Sequence, residues 1–323
     1  MIVRGDPSST VIDILKLITA DSNAVASPNA PKPSAAEINR APNYQATSDP
    51  LRFRAPDVIG KLFGKYIELS GDGRSGKDNC IRGGLGDLSG RSCVVISTYQ
   101  GHTAEENSAF NNGMPTPAGY RTSQRLMKLA EKFGLPVITI IDTPGAWPSI
   151  GSELSGQSEA IATNLITMAG LRVPIVSIIL GEGGSVGALA LGMGNAVGML
   201  SQSYYGFRPE GAATMLGNGG ADQDQLQQLP AADHVYAQQL CERKVVDEVI
   251  FEGLQETHKS FTTTKQRIEE FLSTQLGQLS VMSADEVKAA LSTLRPDLTL
   301  IQTTLSFFSL CRHDGTSSLL WEA

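Results

Sequence analysis

Residues Ile138–Leu191 read ITIIDTPGAWPSIGSELSGQSEAIATNLITMAGLRVPIVSIILGEGGSVGALAL, and this stretch decides the fold. It repeats one local design. An apolar, β-branched run, Val137–Ile141, ends in Asp142-Thr143-Pro144-Gly145-Ala146; a second, Pro174–Leu180, ends in Gly181-Glu182-Gly183-Gly184-Ser185-Val186-Gly187-Ala188. Short apolar runs bounded by Gly and Pro are expected to be buried strands. Each is followed by a glycine-bearing turn and a helix-like segment. Strand, turn and helix N-terminus together direct free backbone N–H groups at one point, which suits a phosphate or an oxyanion formed during acyl chemistry.

Working outward, Met114–Phe133 carries Gly119-Tyr120-Arg121 and then an expected helix with Leu126, Leu129, Ala130 and Phe133 on one face, Gly134 as its stop and Pro136 beyond. Gly83–Leu88 and Cys93–Ser97 flank Ser89-Gly90-Arg91 and read as a hairpin. Ser158–Met168 reads as a helix, Ala188–Ala196 begins as a small-residue helix, and Gly198–Tyr205 reads as another strand. Helices are also expected over Val11–Leu17, Asp57–Leu69, Ala231–Leu240 and Gln255–Leu279. Alternating strands and helices give an α/β fold with right-handed crossovers. Residues 21–50, rich in Ser, Ala, Pro and Asn, read as a linker or arm. The expected division is a variable arm over 1–50, a core over 51–255 and a helical extension over 256–323.

A chain of 323 residues with 41% hydrophobic content can bury a sizeable core. Its net charge of −7 argues against nucleic-acid binding, which usually needs a basic face. The four cysteines (Cys80, Cys93, Cys241, Cys311) form no CxxC pair, so neither a zinc site nor a disulfide framework is expected, and a reducing compartment is. No apolar run is long enough for a transmembrane span. Gly71–Lys77 matches the first part of a phosphate-binding loop, but Asp78 stands where Ser or Thr would hold magnesium, so a polar turn is the better account. His102 is a candidate general base, with an exposed loop histidine as the plainer reading.

Several motifs occur in the order and spacing of one family: Gly113-Met114-Pro115 with Gly119-Tyr120-Arg121, Ile141–Ala146, Gly156–Ala162, Gly181–Gly187 and Pro209-Glu210-Gly211. The chain resembles the α subunit of the carboxyltransferase half of bacterial and plastid acetyl-CoA carboxylase, over roughly residues 80–250. The resemblance implies a crotonase/ClpP-like fold of repeated β-β-α units, with Val245–Ile250 as its closing strand. It implies transfer of a carboxyl group from carboxybiotin, on a separate biotin carboxyl carrier protein, to acetyl-CoA or a related CoA thioester, giving malonyl-CoA for fatty-acid or polyketide synthesis. It also implies a β-type partner with a zinc ribbon, an α₂β₂ assembly, no metal in this chain, and a bacterial cytoplasmic or plastid stromal location. By motif match, the backbone N–H groups of Gly145, Ala146, Val186 and Gly187 are the expected oxyanion donors. Pro144, Trp147, Gly183, Gly184, Ser185, Pro209, Glu210 and Gly211 are expected to line the biotin and substrate site.

Two oxyanion holes suit this chemistry, because a thioester enolate and the biotin urea oxygen both carry negative charge along the reaction path. Ser185 is expected to be a packing residue or helix cap, outside a nucleophile-elbow context. Glu153, Glu159, Glu182 and Asp142 are expected to be structural before catalytic, and Arg121 and Arg208 either hold an anion or form internal salt bridges. The chain also departs from the family. Val186 replaces a usual Gly, Trp147 a usual Tyr, and Thr98–Asn112 has Glu105 and Glu106 and no Lys or Arg. Negative φ at Val186 would preserve the donor, whereas positive φ would strain it. Other crotonase-type acyl-CoA chemistry (decarboxylase, hydratase or isomerase) and a non-catalytic subunit role therefore stand as alternatives.

Overall fold

The computed structural model describes residues 7–19, 29–42, 44–74, 76–206 and 235–293. Its helices and strands run in chain order as α1 (Pro7–Thr19), α2 (Ala35–Ile38), α3 (Ala55–Leu62), β1 (Lys65–Glu68), β2 (Ile81–Leu88), β3 (Arg91–Thr98), α4 (Ala104–Ala109), α5 (Pro117–Phe133), β4 (Val137–Thr143), α6 (Ile150–Leu154), α7 (Gln157–Gly170), β5 (Ile175–Gly184), α8 (Ser185–Gly192), β6 (Ala196–Leu200), β7 (Tyr204–Gly206), α9 (Ala237–Glu242), β8 (Glu248–Ile250), α10 (Thr262–Ser280) and α11 (Ala284–Thr293).

One sheet organises these elements, in the order β1-β2-β3-β4-β5-β6-β8, with β7 paired to the end of β5. β1, β2 and β3 pair antiparallel, and β3 through β6 and β8 pair parallel. β4 and β5 lie at the centre and are buried along their whole length. That is why their sequences are continuous apolar runs rather than alternating ones. Alternate residues of β5 serve two cores. Ile175 and Ile179 pack with α5, α7 and α8 through Tyr120, Leu126, Met168 and Leu191, whereas Val176, Ile178 and Leu180 pack with α3 and α10 through Val58, Leu62, Phe271 and Leu272.

The hairpin, the two central strands and the helix stop at Gly134 (φ 64°) match the sequence expectation. Other segments differ. The helix expected over Asp57–Leu69 ends at Leu62, because Phe63 turns extended (φ −97°, ψ 117°) and Lys65–Glu68 pairs with β2. The single strand expected over Gly198–Tyr205 is two: β6 stays beside β5, and after Ser201 and Gln202 the chain returns as β7 against Glu182–Gly184. The helix expected from Gln255 begins at Thr262, and the closing strand is only Glu248–Ile250. Of Ala231–Leu240, residues 231–234 lie outside the described residues, and helix starts at Ala237. In the arm, Ser34 and Glu37 form a capping box on α2, and Glu37 also pairs with Arg267 of α10 at 3.2 Å. Among the described residues no helix is long and apolar enough to cross a membrane.

Candidate functional site

The site grows from the carboxyl ends of β4 and β5, where an open parallel sheet leaves room for a ligand. The first turn is shaped by Thr143 and Gly145. Thr143 Oγ1 accepts from the Gly145 N–H at 3.1 Å and donates to the Gly145 carbonyl at 3.0 Å. Gly145 has φ 145°, a conformation that favours glycine. The turn is anchored beyond by the Trp147 N–H, which donates to the Pro115 carbonyl at 2.9 Å, and the Gln157 side chain donates to the same oxygen at 2.9 Å. This places the Gly113-Met114-Pro115 motif directly behind Trp147.

The second turn docks onto the first. Gly184 has no room for a side chain: a Cβ there would overlap the Pro144 carbonyl. A Cβ on Gly187 would lie 2.5 Å from Ala146 N, 2.8 Å from Gly145 C and 2.8 Å from Tyr120 Oη. The amide of Ala146 is thus packed beside the first turn of α8. No side chain caps α8, so the early N–H groups at Val186 and Gly187 have no partner from the helix itself. The Ala146 N–H has no acceptor among the described residues, whereas the Gly145 N–H is held by Thr143. Two elements therefore bring amides together at a positive helix end, an arrangement that stabilises negative charge on oxygen. Tyr120, fully buried, donates to the Gly187 carbonyl at 3.2 Å and supports this turn from behind.

Val186 is not among the residues with positive φ, so it keeps its N–H and adds a half-buried side chain beside the turn. The left-handed conformation falls instead on Ser185, at φ 55°. This corrects the reading of Ser185. Gly183-Gly184-Ser185-Val186-Gly187 has G-x-S-x-G spacing, and it joins strand to helix through a serine in the left-handed region, with Gly184 rather than Ser185 as the helix N-cap. The spacing was present in the sequence, whereas the backbone angle was not. Pro209, Glu210 and Gly211, with Arg208, lie outside the described residues.

The remaining candidates have identifiable partners. Arg121 donates to the Ser155 carbonyl at 2.8 Å and pairs with Glu159 at 3.4 Å. Glu153 accepts from the Ser158 hydroxyl at 3.0 Å. His102 bonds Asp57 at 2.9 Å and the Pro50 carbonyl at 3.1 Å, and its ring packs, tilted by 33°, against that of His258. Asp78 accepts from the Thr116 N–H and hydroxyl and from the Ile81 N–H, a structural role.

Glu182 is a buried acid on β5, two residues before Gly184. It accepts from Gln100 Nε2 at 2.8 Å and Tyr204 Oη at 3.5 Å. Burial, and next the neighbouring Asp142 charge, push its carboxyl from the usual 4.5 up to about 7. A folded-state value above the unfolded one means that this group favours folding below pH 4.5 and that the contribution is lost as pH rises through about 7. The substitution Glu182→Gln is expected to flatten that fall, raising the melting temperature above pH 7 and leaving it nearly unchanged below pH 4.5. Melting curves of both proteins across this range decide it, and an unaltered fall in the variant would assign the pH dependence to other groups.

Among the described residues no group of three His, Cys, Asp or Glu side chains is arranged to hold a metal. Residues 26–293 match the family described as acetyl co-enzyme A carboxylase carboxyltransferase-like. The acetyl-coenzyme A carboxylase carboxyl transferase subunit alpha of Gemmatimonas aurantiaca is 44% identical over 232 residues, 72% of each chain. That of Stenotrophomonas maltophilia is 42% identical over 245 residues, 75% of this chain and 76% of the relative. The chain belongs to this family. It is an α-type carboxyltransferase subunit, and the family's β-type subunit is its implied partner.

Solved structures share the fold. The transcarboxylase 12S structure with hydrolysed methylmalonyl-coenzyme A superposes with a TM-score of 0.58 at 17% identity, covering 84% of this chain and 50% of that one. A single-chain, multi-domain long-chain acyl-CoA carboxylase gives 0.57 at 19% identity, covering 83% of this chain and 25% of that one. The chain thus spans about half of the transcarboxylase 12S chain. The α/β, crotonase-like architecture expected from the sequence is the one observed.

Proposed function

We propose that the two docked turns form the carrier-biotin side of a carboxyltransferase site and that a β-type subunit with a zinc ribbon supplies most of the acyl-CoA side. The observation that carries this reading is the Ala146 amide packed against Gly187 at the uncapped start of α8. Biotin's urea group offers a carbonyl oxygen as acceptor, and the residues present fit it: the Ala146, Val186 and Gly187 N–H groups face acceptor chemistry, Gly183 and Gly184 bring no side chains, and half-buried Trp147 adds an apolar wall. When bound, biotin supplies the activated carboxyl group.

The chain's own residues do three things. Ala146, Val186 and Gly187 donate to an oxygen on which negative charge grows during transfer, each good donor being worth ~3 kcal/mol. Gly145 and Gly184 let the turns approach closely enough for these donors to converge. Trp147 and the Val186 side chain exclude water from the charge, which strengthens each hydrogen bond. Pro144 and Ser185 shape the approach. The acceptor is acetyl-CoA, giving malonyl-CoA. The carboxyl donor sits on a separate carrier protein, the assembly is α₂β₂, and the setting is a bacterial cytoplasm. The carboxyltransferase core is taken to span 51–255, and beyond it α10 packs on that core through Ile268, Phe271 and Leu272.

The test is malonyl-CoA-dependent carboxylation of free biotin by the chain co-purified with its β-type partner. Turnover is expected. A folded complex containing the zinc-ribbon partner but without turnover would overturn the reading and favour a non-catalytic subunit.

A further inference from the structure

We propose that Arg54 and Asp142 are positioning residues for carboxyl transfer, setting from beneath the offset between the two donor turns; this rests on the site reading above. The β4–β5 ladder runs in register to Ile141↔Ile179 and then slips, so that the next pair is Thr143↔Gly183. Two residues on one strand are thus matched by four on the other, and the turns emerge at heights fixed by this irregularity. Asp142 sits in the gap. Its Oδ1 accepts the Glu182 N–H at 2.9 Å, replacing a ladder bond, and its own N–H donates to Thr98 Oγ1 at 2.6 Å. The carboxylate fills the space where a Gly181 side chain would lie.

Asp142 is wholly buried, and its charge is met by Arg54 Nη1 at 3.1 Å. The same Nη1 donates to the Thr47 carbonyl at 2.8 Å, and the Arg54 N–H is held by Asp57 Oδ2 at 2.7 Å at the start of α3. One carboxylate therefore ties the end of β4 to Glu182, two residues before Gly184 on β5, and α3 holds that carboxylate from the opposite face of the sheet to α8. Neither residue touches the donor turns' free amides, so both act through the backbone offset.

Asp142→Asn keeps the size but sets an amide N–H₂ against either Arg54 or the Glu182 N–H, so one bond is lost whichever way the amide turns. A misplacement of roughly 1 Å costs about 100-fold in rate. In the complex with its partner, Asp142→Asn is expected to lower kcat about 100-fold, with KM for biotin and malonyl-CoA nearly unchanged, because the donors act on charge that develops in the transition state. Arg54→Lys keeps the charge on a single ammonium without the planar fork, and is expected to lose about tenfold. Unchanged kcat per folded complex in both variants, with only a lower melting temperature, would make the pair purely structural and overturn the proposal. If Asp142→Asn does not fold, Arg54→Lys decides by the same split between kcat and KM. A wild-type complex that transfers nothing overturns the site reading itself, an outcome seen in the wild-type arm alone.

Discussion

Gly187→Val is expected to lower kcat for biotin carboxylation at least about 100-fold, the scale of losing an oxyanion donor. The clash is specific. Two of the atoms that the new Cβ would meet, Ala146 N at 2.5 Å and Gly145 C at 2.8 Å, belong to the opposing turn's backbone. The third, Tyr120 Oη at 2.8 Å, belongs to a fully buried ring. None is the free end of a flexible side chain, so the turn must retreat and carry the Ala146 N–H away from the donors of α8. Gly60→Ala is the matched control. It adds a methyl within α3 where nothing lies within 4 Å, and turnover is expected to persist. Comparing kcat at equal folded concentration of the complex decides the matter, and a Gly187→Val kcat within about threefold of wild type would sink the oxyanion-donor reading.

The sequence carried the central strands openly, because β-branched runs between Gly and Pro have few alternatives. The 57–69 segment departs from its helical pattern for a physical reason. Ile59, Leu62, Phe63, Tyr66 and Ile67 satisfy helical spacing, yet Tyr66 and Ile67 gain more by pairing with Gly86 and Leu85 of β2, a tertiary contact that periodicity does not contain. At the site, the two glycine turns were legible as turns that meet, whereas the engagement of the Gly145 N–H by Thr143, one of the donors expected from the motifs, was not. That Val186 escapes positive φ while Ser185 adopts it was not legible, because backbone angle follows from how the strand enters the helix. Nor was the support beneath. Arg54 and Asp142 are 88 residues apart, and Arg52 and Glu252 are 200 apart, separations at which no local pattern speaks.

The second large effect belongs to that distant pair and is one of stability. Arg52→Met is expected to cost about 3–5 kcal/mol, the range for removing one partner of a buried ion pair. The side chains of Arg52 and Glu252 are only 5% and 6% exposed, so the surviving charge cannot fall back on bulk water. Arg52 makes two bonds to Glu252, at 2.8 and 3.0 Å, and also donates to the Leu180 carbonyl at 2.6 Å and the Ser203 hydroxyl at 3.3 Å. Glu252 in turn accepts the Gln202 N–H at 2.9 Å. The cluster therefore fastens β5, just before the turn at its end, to the reversal between β6 and β7. Arg52→Met leaves Glu252 charged, buried and short of two donors. The double variant Arg52→Met with Glu252→Gln removes both charges, so it should recover a large part of the loss, a coupling that additive contacts would not produce. Denaturant midpoints of the wild type, both single variants and the double close the cycle. A single-variant cost below about 1 kcal/mol would mean that water reaches Glu252 and that the pair behaves as a surface bridge.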